Sequence, residues 1–215
     1  MRKLLLSVIV LFSILAAKAQ IGRGSIFLGG DIGVYTQNVN YETGSDVKGT
    51  SINVSPVFGK FIKDNLVVGT NLGFSLSDSK NDLAIDYKIT TYQAGVFIRK
   101  YKNIGASGFY IFGQGGLNAG YYKQESHAPD NSYDDEVNRT SIGINAFPGI
   151  SFAVSKRFHL ETGFNNLVSL YYFDEERDDN SPNITGYSSN GFGFSSSLSN
   201  ATSSFYLGFR VVLSK

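Results

Sequence analysis

The 215-residue sequence contains no cysteine, no tryptophan, one methionine and only four prolines. The lack of cysteine excludes a disulfide scaffold, a thiol nucleophile and a cysteine-ligated metal site. Beyond residue 17 the sequence also lacks any long apolar run, so no membrane-spanning helix is expected there. Glycine, phenylalanine and tyrosine are abundant instead, at 24, 17 and 13 residues. Together with the alternation described below, this composition indicates a β-protein.

The first 19 residues have the pattern of a secretory signal peptide. Two basic residues precede an apolar run from Leu4 to Ala17, which is shorter than the roughly 20 residues of a membrane-spanning helix. Ala17 and Ala19 supply small side chains at the positions that a signal peptidase recognises. We therefore predict a signal peptide at residues 1–19 and a single domain at residues 20–215.

Charge of either sign is scarce in this domain. Removing residues 1–19 takes away three of the 19 basic residues and leaves 16 against 18 acidic ones, a net charge of −2. Without a basic face, a nucleic-acid partner is excluded. The glycine-rich residues 115–120 are not followed by a helical pattern, so they do not form a nucleotide-binding loop. We expect no cofactor and no bound metal.

Eight segments of the domain alternate between apolar residues and small or polar ones, with the period of two that is typical of β-strands. The alternation is clearest at the end of the chain, where every second residue from Phe205 to Leu213 is apolar. The predicted strands span about residues 26–36, 51–62, 66–77, 87–101, 108–122, 139–154, 158–173 and 203–213.

The connections between these strands alternate in length. Because each strand exceeds the roughly 9 to 11 residues that a tilted strand needs to cross a bilayer, and lipid requires a closed sheet, we predict a membrane barrel. The fold class is all-β, a transmembrane antiparallel up-and-down β-barrel of eight strands. Ten strands is the alternative, because Gly191 to Ser195 also alternate. Residues 63–65, 102–107 and 155–157 form the short turns, and residues 37–50, 78–86, 123–138 and 174–202 the long polar loops.

Three stretches of the domain carry a resemblance to a known family: Val54-Ser55-Pro56-Val57-Phe58-Gly59, Lys63-Asp64-Asn65-Leu66-Val67-Val68-Gly69 and Phe109-Tyr110-Ile111-Phe112-Gly113-Gln114-Gly115-Gly116-Leu117. Through them the whole of residues 20–215 resembles the outer membrane protein beta-barrel domain family, the small porin-like barrels of Gram-negative bacteria. The resemblance implies a place in the outer membrane of a Gram-negative bacterium, in contact with outer-membrane lipid and lipopolysaccharide. It implies no particular activity, because the family is functionally mixed.

The end of the chain resembles the terminal signal by which outer-membrane barrels are recognised for insertion. The resemblance implies the barrel-assembly machinery as a partner. The usual signal ends on an aromatic residue, whereas this chain ends Leu213-Ser214-Lys215. The residues that carry the likeness are Tyr206, Gly208, Val211 and Leu213.

Alternation also predicts which polar side chains face the barrel interior, which eight strands leave only wide enough for side chains to fill. Because a buried charge must be paired, we expect Arg210 to bind Glu161, Asp31 or both, with Arg99 nearby. Such a cluster would seal the barrel at the end that carries the short turns. The polar residues predicted to face inward are Asp31, Gln93, Arg99, Gln114, Asn118, Asn145, Glu161 and Arg210.

Two groups of residues bear on other activities. His159 shares a strand face with Glu161, and Ser155 or Ser169 could supply a nucleophile as in lipid-modifying barrel enzymes, but no recognisable spacing supports this, and we expect no enzyme. His127 falls in a predicted loop.

The last two long loops are acidic. Their carboxylates are expected to be solvated at the loop tips, or alternatively to bind Ca²⁺, lipopolysaccharide or an extracellular partner. These residues are Asp130, Asp134, Asp135, Glu136, Asp174, Glu175, Glu176, Asp178 and Asp179.

Aromatic residues near both ends of the predicted strands are expected to form girdles at the two membrane interfaces. Those near the short turns are Phe61, Tyr101, Phe109 and Phe158; those near the long loops are Tyr35, Tyr87, Tyr121, Tyr122, Tyr171, Tyr172 and Phe173.

We therefore expect a small integral outer-membrane barrel with a side-chain-filled lumen, acting through long extracellular loops in envelope integrity or adhesion. One alternative is a narrow porin that passes ions or small solutes. The other is a secreted lipocalin-like binder of small molecules. A soluble barrel needs a charged exterior, whereas the polar strand faces here are mostly glycine, asparagine, serine and glutamine.

Overall fold

The computed structural model describes residues 21–40, 46–81, 85–105, 107–128, 134–164, 167–179, 186–196 and 205–213. The predicted signal peptide lies outside these residues. No helix within them is long and apolar enough to cross a membrane. Ten β-strands make up most of the described chain: β1 (Ile26–Asn40), β2 (Asp46–Lys63), β3 (Leu66–Asn81), β4 (Asp86–Asn103), β5 (Phe109–His127), β6 (Asp134–Ala153), β7 (Phe158–Phe164), β8 (Val168–Asp179), β9 (Tyr187–Ser196) and β10 (Phe205–Leu213).

These ten strands occupy eight positions around one antiparallel barrel. Strands β1 to β6 pair in sequence order and fill one position each. Strand β6 pairs with β7 through Gly149–Ala153 and with β8 through Asp135–Ala146, so β7 and β8 share the seventh position. Strand β9 pairs with β8, and β10 with β7, so β9 and β10 share the eighth. The predicted eight-stranded barrel is therefore confirmed, and Gly191 to Ser195 belong to its eighth position.

The barrel closes where β10 meets β1. Five residue pairs join the two strands, from Ile26 with Leu213 to Gly30 with Phe209. Along these five pairs, closure satisfies the backbone groups that an open sheet would leave at its edges. We call the end that carries this closure and the short connections the turn end, and the opposite end the loop end.

A bulge interrupts the seventh position. Four residues separate Gly163 from Val168, whereas only two separate their partners Gly149 and Ala146 on β6. Pro148 is one of those two, and a proline, which has no backbone N–H, is accommodated where the ladder is broken. The bulge explains why one long predicted strand is observed as two.

The short turns agree with the prediction, but the long loops do not. At the turn end, Asp64 and Asn65 connect β2 to β3, and Asn65 takes the left-handed conformation (φ 59°) that asparagine tolerates. At the loop end, much of the sequence predicted as loops at residues 37–50, 78–86, 123–138 and 174–202 is paired strand. The polarity of these segments reflects contact with water rather than the end of the sheet, because the strands continue beyond the apolar part of the barrel.

The barrel is apolar outside and polar in the wider part of its interior. Alternate residues of the strands present exposed apolar side chains to the exterior, whereas asparagine, glutamine, serine and threonine side chains line the interior cavity and buried aromatic side chains fill the turn end. An exposed apolar surface of this extent is that of a membrane-spanning barrel. Exposed apolar side chains of the exterior include Leu28, Phe58, Leu72, Val96, Leu117, Ile144, Leu170 and Phe209.

This polarity predicts unequal tolerance of charge on the two faces. Leu117→Arg places a cation in the middle of the apolar exterior and should destabilise the barrel in lipid by about 2–4 kcal/mol. The same substitution at Asn71, which faces the polar interior, should cost much less. Urea unfolding of both variants in lipid vesicles measures the difference, and equal costs would mean that inside and outside are wrongly assigned.

Candidate functional site

A buried ion pair lies inside the barrel near the turn end. Arg99 on β4 and Glu161 on β7 are 2% and 1% exposed, and Arg99 Nη1 lies 2.7 Å from Glu161 Oε2. The same Nη1 donates to Tyr101 Oη at 3.0 Å, and Arg99 Nε donates to Gln114 Oε1 at 2.7 Å. The Tyr101 hydroxyl donates in turn to Glu161 Oε1 at 2.6 Å. Every one of these polar groups therefore has a partner in the interior, as burial requires.

Arg210 on β10 approaches the same carboxylate from another wall. Its Nε lies 3.1 Å from Glu161 Oε2, as an ion pair without the alignment of a hydrogen bond. Its Nη1 donates to the carbonyl oxygens of Gly30 and Phe209, at 3.1 and 2.8 Å. Glu161 thus accepts from or pairs with three side chains that come from two other strands. We call Arg99, Tyr101, Gln114, Glu161 and Arg210 the charged cluster.

Two glycines make room for the Arg210 side chain. Glu161 lies opposite Gly208 rather than Arg210, so the guanidinium reaches it diagonally. A Cβ at Gly29, the partner of Arg210 on β1, would lie 2.4 Å from Arg210 Cδ, and one at Gly208 would lie 3.1 Å from Arg210 Nη1. At Gly29, where the added Cβ would also lie 2.3 Å from the Phe209 carbonyl oxygen, only a residue without a side chain fits, whereas at Gly208 the end of the arginine would have to shift by a few tenths of an ångström.

Asp31 lies beside the charged cluster. Its carboxylate accepts a hydrogen bond from Ser55 and is attracted electrostatically by the Arg210 guanidinium. Within the described part of the chain, the ion pair of Arg210 is with Glu161. Asp31 instead lines the cavity above the cluster. Of the two carboxylates that the sequence suggested for Arg210, the structure thus pairs it with Glu161 and places Asp31 beside the cavity.

Aromatic rings surround the charged cluster and fill the turn end. The guanidinium carbon of Arg99 lies 4.3 Å from the Phe112 ring centroid and 5.2 Å from that of Phe27, close enough for cation–π attraction. Ile21, from the segment that precedes β1, is also buried in this core. The rings pack edge to face or tilted, with neighbouring centroids 5.5–6.4 Å apart. They belong to Phe27, Phe61, Phe97, Tyr101, Tyr110, Phe112, Phe147 and Tyr206.

This aromatic core corrects part of the predicted girdle. Phe61 and Tyr101 are 0% and 2% exposed and point into the barrel, so they do not face the membrane interface. Phe109 and Phe158 are exposed near the same end, as a girdle requires. The missed signal was parity, because Tyr101 lies two residues from the inward-facing Arg99 and therefore shares its face. At the loop end, Tyr122 and Phe173 likewise line the lumen.

Above the cluster lies a polar cavity of about 490 Å³. Three asparagines cross it: Asn71 donates to Asn118 at 3.2 Å, and Asn118 donates to Asn145 at 3.0 Å. Asn71 and Asn118 belong to strands that are not neighbours, and Gly95 lies between them in the register. A Cβ at Gly95 would lie 2.1 Å from Asn118 Oδ1, so the missing side chain permits the contact. Gln93 also lines this cavity.

The residues considered for catalysis do not form an accessible site. The Ser151 hydroxyl lies 3.3 Å from His159 Nδ1, but the two residues are 0% and 2% exposed. Ser155 accepts from the backbone N–H groups of Arg157 and Phe158, and Ser169 bonds Ser195. The structure brings neither of them to His159, and the serine that it does bring, Ser151, was not identified from the sequence.

The acidic residues at the loop end lie on strands and pair with basic ones. Arg139 donates through Nε to Glu175 Oε2 at 2.6 Å, and Arg177 donates to Asp135 at 2.8 Å. No group of three or more metal-ligating side chains comes together within the described residues. Asp130 lies outside them. The other ion pairs at this end are Lys123 with Glu125 and Glu136, Lys88 with Glu125, and His127 with Asp134.

The residues of the terminal insertion signal divide between the two faces of β10. Tyr206 and Gly208 point inward, Leu213 points outward, and Val211 is half-buried. The aromatic core and the charged cluster therefore already use Tyr206 and Gly208. Recognition of these residues by an assembly machinery stays a prediction.

Several solved structures are similar to this chain. A major outer membrane protein from Thermus thermophilus is 10% identical, with a TM-score of 0.48 over 88% of this chain and 99% of that one. Neisserial surface protein A is 18% identical, with a TM-score of 0.36 over 88% and 99%. The translocator domain of the autotransporter NalP from Neisseria meningitidis is 16% identical, with a TM-score of 0.42 over 80% and 57%.

Likeness at this level carries no inference about activity. No protein-family model matches the sequence, and a search of curated proteins finds no significant match. The specific family expected from the sequence is therefore not confirmed.

The charged cluster predicts that the same glutamate-to-glutamine substitution costs much more stability at Glu161 than at the loop end. Glu161→Gln leaves the buried Arg99 and Arg210 without a carboxylate and should destabilise the barrel by about 3–5 kcal/mol. Glu125→Gln at the loop end also removes a carboxylate from two cations, but these pairs are partly exposed, so the cost should be about 1 kcal/mol or less. Urea unfolding in lipid vesicles compares them, and a cost below about 1 kcal/mol for Glu161→Gln would contradict the role assigned to the cluster.

The loop end should loosen in acid. The pKa of the Glu125 carboxyl is lowered by its hydrogen bond with Lys123, and that of Glu136 by hydrogen bonds with Asn138 and then Lys123. Burial opposes the same effect at Glu175, but hydrogen bonds from Arg139 and Tyr187 outweigh it and lower the pKa. A lowered pKa contributes stability that is present above the unfolded value, about 4.3, and is lost as pH falls through the folded value.

We expect hydrogen exchange, corrected for its intrinsic pH dependence, to rise at the loop end of β5, β6 and β8 below about pH 4. The turn end of the same strands serves as the internal control. Uniform loss of protection along these strands would mean that the loop-end carboxylates do not hold this region together.

Proposed function

We propose that the chain is an integral barrel of the outer membrane whose lumen is sealed at the turn end, and that it acts as a structural or surface-interaction protein rather than as a pore. The observation that carries this proposal is the charged cluster, in which Arg99, Tyr101, Glu161 and Arg210 are buried and enclosed by aromatic rings. An ion that entered the lumen from the loop end would have to displace Arg99, Tyr101 and Glu161, which hold one another by short hydrogen bonds.

Location in the outer membrane is supported by the secretory pattern at residues 1–19 and by the apolar exterior of the barrel. In this arrangement the turn end faces the periplasm and the loop end faces outward. The barrel-assembly machinery and outer-membrane lipid with lipopolysaccharide are the partners that the proposal requires.

Among the described residues, the outward-facing surface is built from extensions of the strands. Strands β2 to β6 have 16 to 20 residues, well beyond the roughly 9 to 11 that cross a bilayer. The surplus forms a paired extension that carries both acidic and basic side chains, linked by the ion pairs described above. Such a surface suits adhesion or contact with lipopolysaccharide headgroups, because its shape is fixed before a partner binds.

The two alternative functions fit the geometry less well. A narrow porin is favoured by the polar cavity of about 490 Å³, but requires a path past the charged cluster. A lipocalin-like binder keeps its apolar face inside and its polar face in water, which is the reverse of the arrangement here. Enzymatic activity is not part of the proposal, since the Ser151–His159 contact is buried away from any substrate.

Conductance tests this proposal. The refolded barrel should show no steady conductance in a planar bilayer. The triple variant Arg99→Ser, Tyr101→Ser and Glu161→Ser removes the side chains that fill the lumen while keeping the net charge, and should increase conductance. The control Arg139→Ser with Glu175→Ser removes an ion pair from the loop end and should stay silent.

Folding of each variant is checked by its heat-dependent shift on gels. A steady conductance of the unmodified barrel that the triple variant leaves unchanged would contradict the proposal, because ions would then pass by a route that the cluster does not block.

A further inference from the structure

Strands β1 and β10 separate above the short closure at the turn end. Their last pair is Gly30 with Phe209. Continuing that register would place Ile32 opposite Leu207, yet within the described residues these segments pair only with their other neighbours, Ile32 with Val54 and Leu207 with Thr162. The wall therefore contains a gap between residues 31–34 of β1 and residues 205–208 of β10, which we call the β1–β10 gap.

Exposure of the outward side chains agrees with this gap. Leu72, on a strand paired on both sides, is 58% exposed, and Leu28, beside the paired part of β10, is 37% exposed. Ile32 and Leu207, on the two sides of the gap, are more exposed, at 71% and 69%. Both outer edges of the gap, formed by Ile32 and Leu207, are therefore apolar and belong to the lipid-facing exterior.

A second cavity, of about 580 Å³, lies at the gap. Its lining combines Ile32 and Leu207 of the exterior with polar residues of the lumen. It shares five lining residues with the lumen cavity, so the two cavities adjoin. The shared residues are Asp31, Ser55, Thr91, Gln93 and Tyr206.

The chemistry of this cavity changes from one end to the other. At the exterior it offers Ile32 and Leu207, whereas inside it offers hydroxyls and amides, including Asn53, Ser75 and Gln93. Asp31 is the one charged residue among its described lining, so an anionic group is disfavoured. Below it, the two arginines of the charged cluster are balanced by Glu161 and Asp31.

We propose that the β1–β10 gap binds a single-chain amphiphile with an uncharged, hydroxyl-bearing head, of the monoacylglycerol kind. The head lies in the polar cavity, and the hydrocarbon chain passes between Ile32 and Leu207 into the membrane. Hydroxyls of the head can bond the backbone groups of the separated strands, which lipid alone would leave unsatisfied. The proposal rests on the membrane location proposed above and adds a ligand to it.

Native mass spectrometry of the refolded barrel with added monooleoylglycerol tests the proposal. We expect one molecule retained per barrel and at least tenfold less retention of oleate, whose carboxylate meets Asp31. Ser75→Phe fills the cavity at the gap and should reduce retention at least tenfold. The matched control Ser169→Phe adds the same ring to the lumen cavity on β8, where it lines only that cavity, and should retain the ligand.

Cysteine pairs test the gap itself, in a chain that has no cysteine of its own. Ile32→Cys with Leu207→Cys should not form a disulfide on mild oxidation, because the strands are separated there. Leu28→Cys with Val211→Cys, which face each other in the closed part, should form one.

Three results would overturn the proposal: a disulfide between positions 32 and 207 at the same rate as the control pair, equal retention by both phenylalanine variants, or no retention by the unmodified barrel. Membrane insertion and conductance are read separately. A silent, inserted barrel that retains no monooleoylglycerol would therefore leave the proposed function in place and remove only this ligand.

Discussion

The burial of one carboxylate between two guanidinium groups is the constraint on which the turn end of this barrel depends. Glu161 is held by Arg99 from β4 and by Arg210 from β10, so the contact joins strands that are far apart in the sequence. Taking three charges out of water is favourable only if their partners are correctly placed. The cluster therefore stabilises the register in which β7, β10 and β1 close the barrel. A shift by one residue would direct these charges at lipid and would destabilise the fold.

Glycines and aromatic rings divide the interior into two regions. Near the turn end, large rings surround the cluster and exclude water, while Gly29 and Gly208 leave the space that Arg210 occupies. Further toward the loop end, Gly95 leaves the space through which asparagines of separate strands meet, and the interior becomes polar and open. This division supports the proposed cup, closed at the turn end and accessible from the loop end and from the β1–β10 gap, over a channel.

A closed base changes what the cavity can do. In a channel, a polar cavity next to a gap would leak solute into the membrane. In a cup with balanced charges, the same geometry favours retention of a ligand whose two ends differ in polarity. Surface interaction at the loop end and ligand binding at the gap are therefore compatible, because they use different parts of the barrel and neither requires passage through the charged cluster.

Alternation with period two is a local property. Together with strand length and the alternation of short and long connections it predicted the barrel, and parity predicted the inward direction of Arg99, Glu161 and Arg210. The same parity would have placed Phe61 and Tyr101 inside, had their nearness to the turns not suggested a girdle. Strand length at the loop end was underestimated because polar residues pair as well as apolar ones once they leave the membrane. The diagonal contact of Arg210 with Glu161, the pairing of Ser151 with His159 and the separation of β1 from β10 were decided only by the tertiary structure. They depend on register, bulges and closure between segments distant in sequence, and no local pattern encodes those relations.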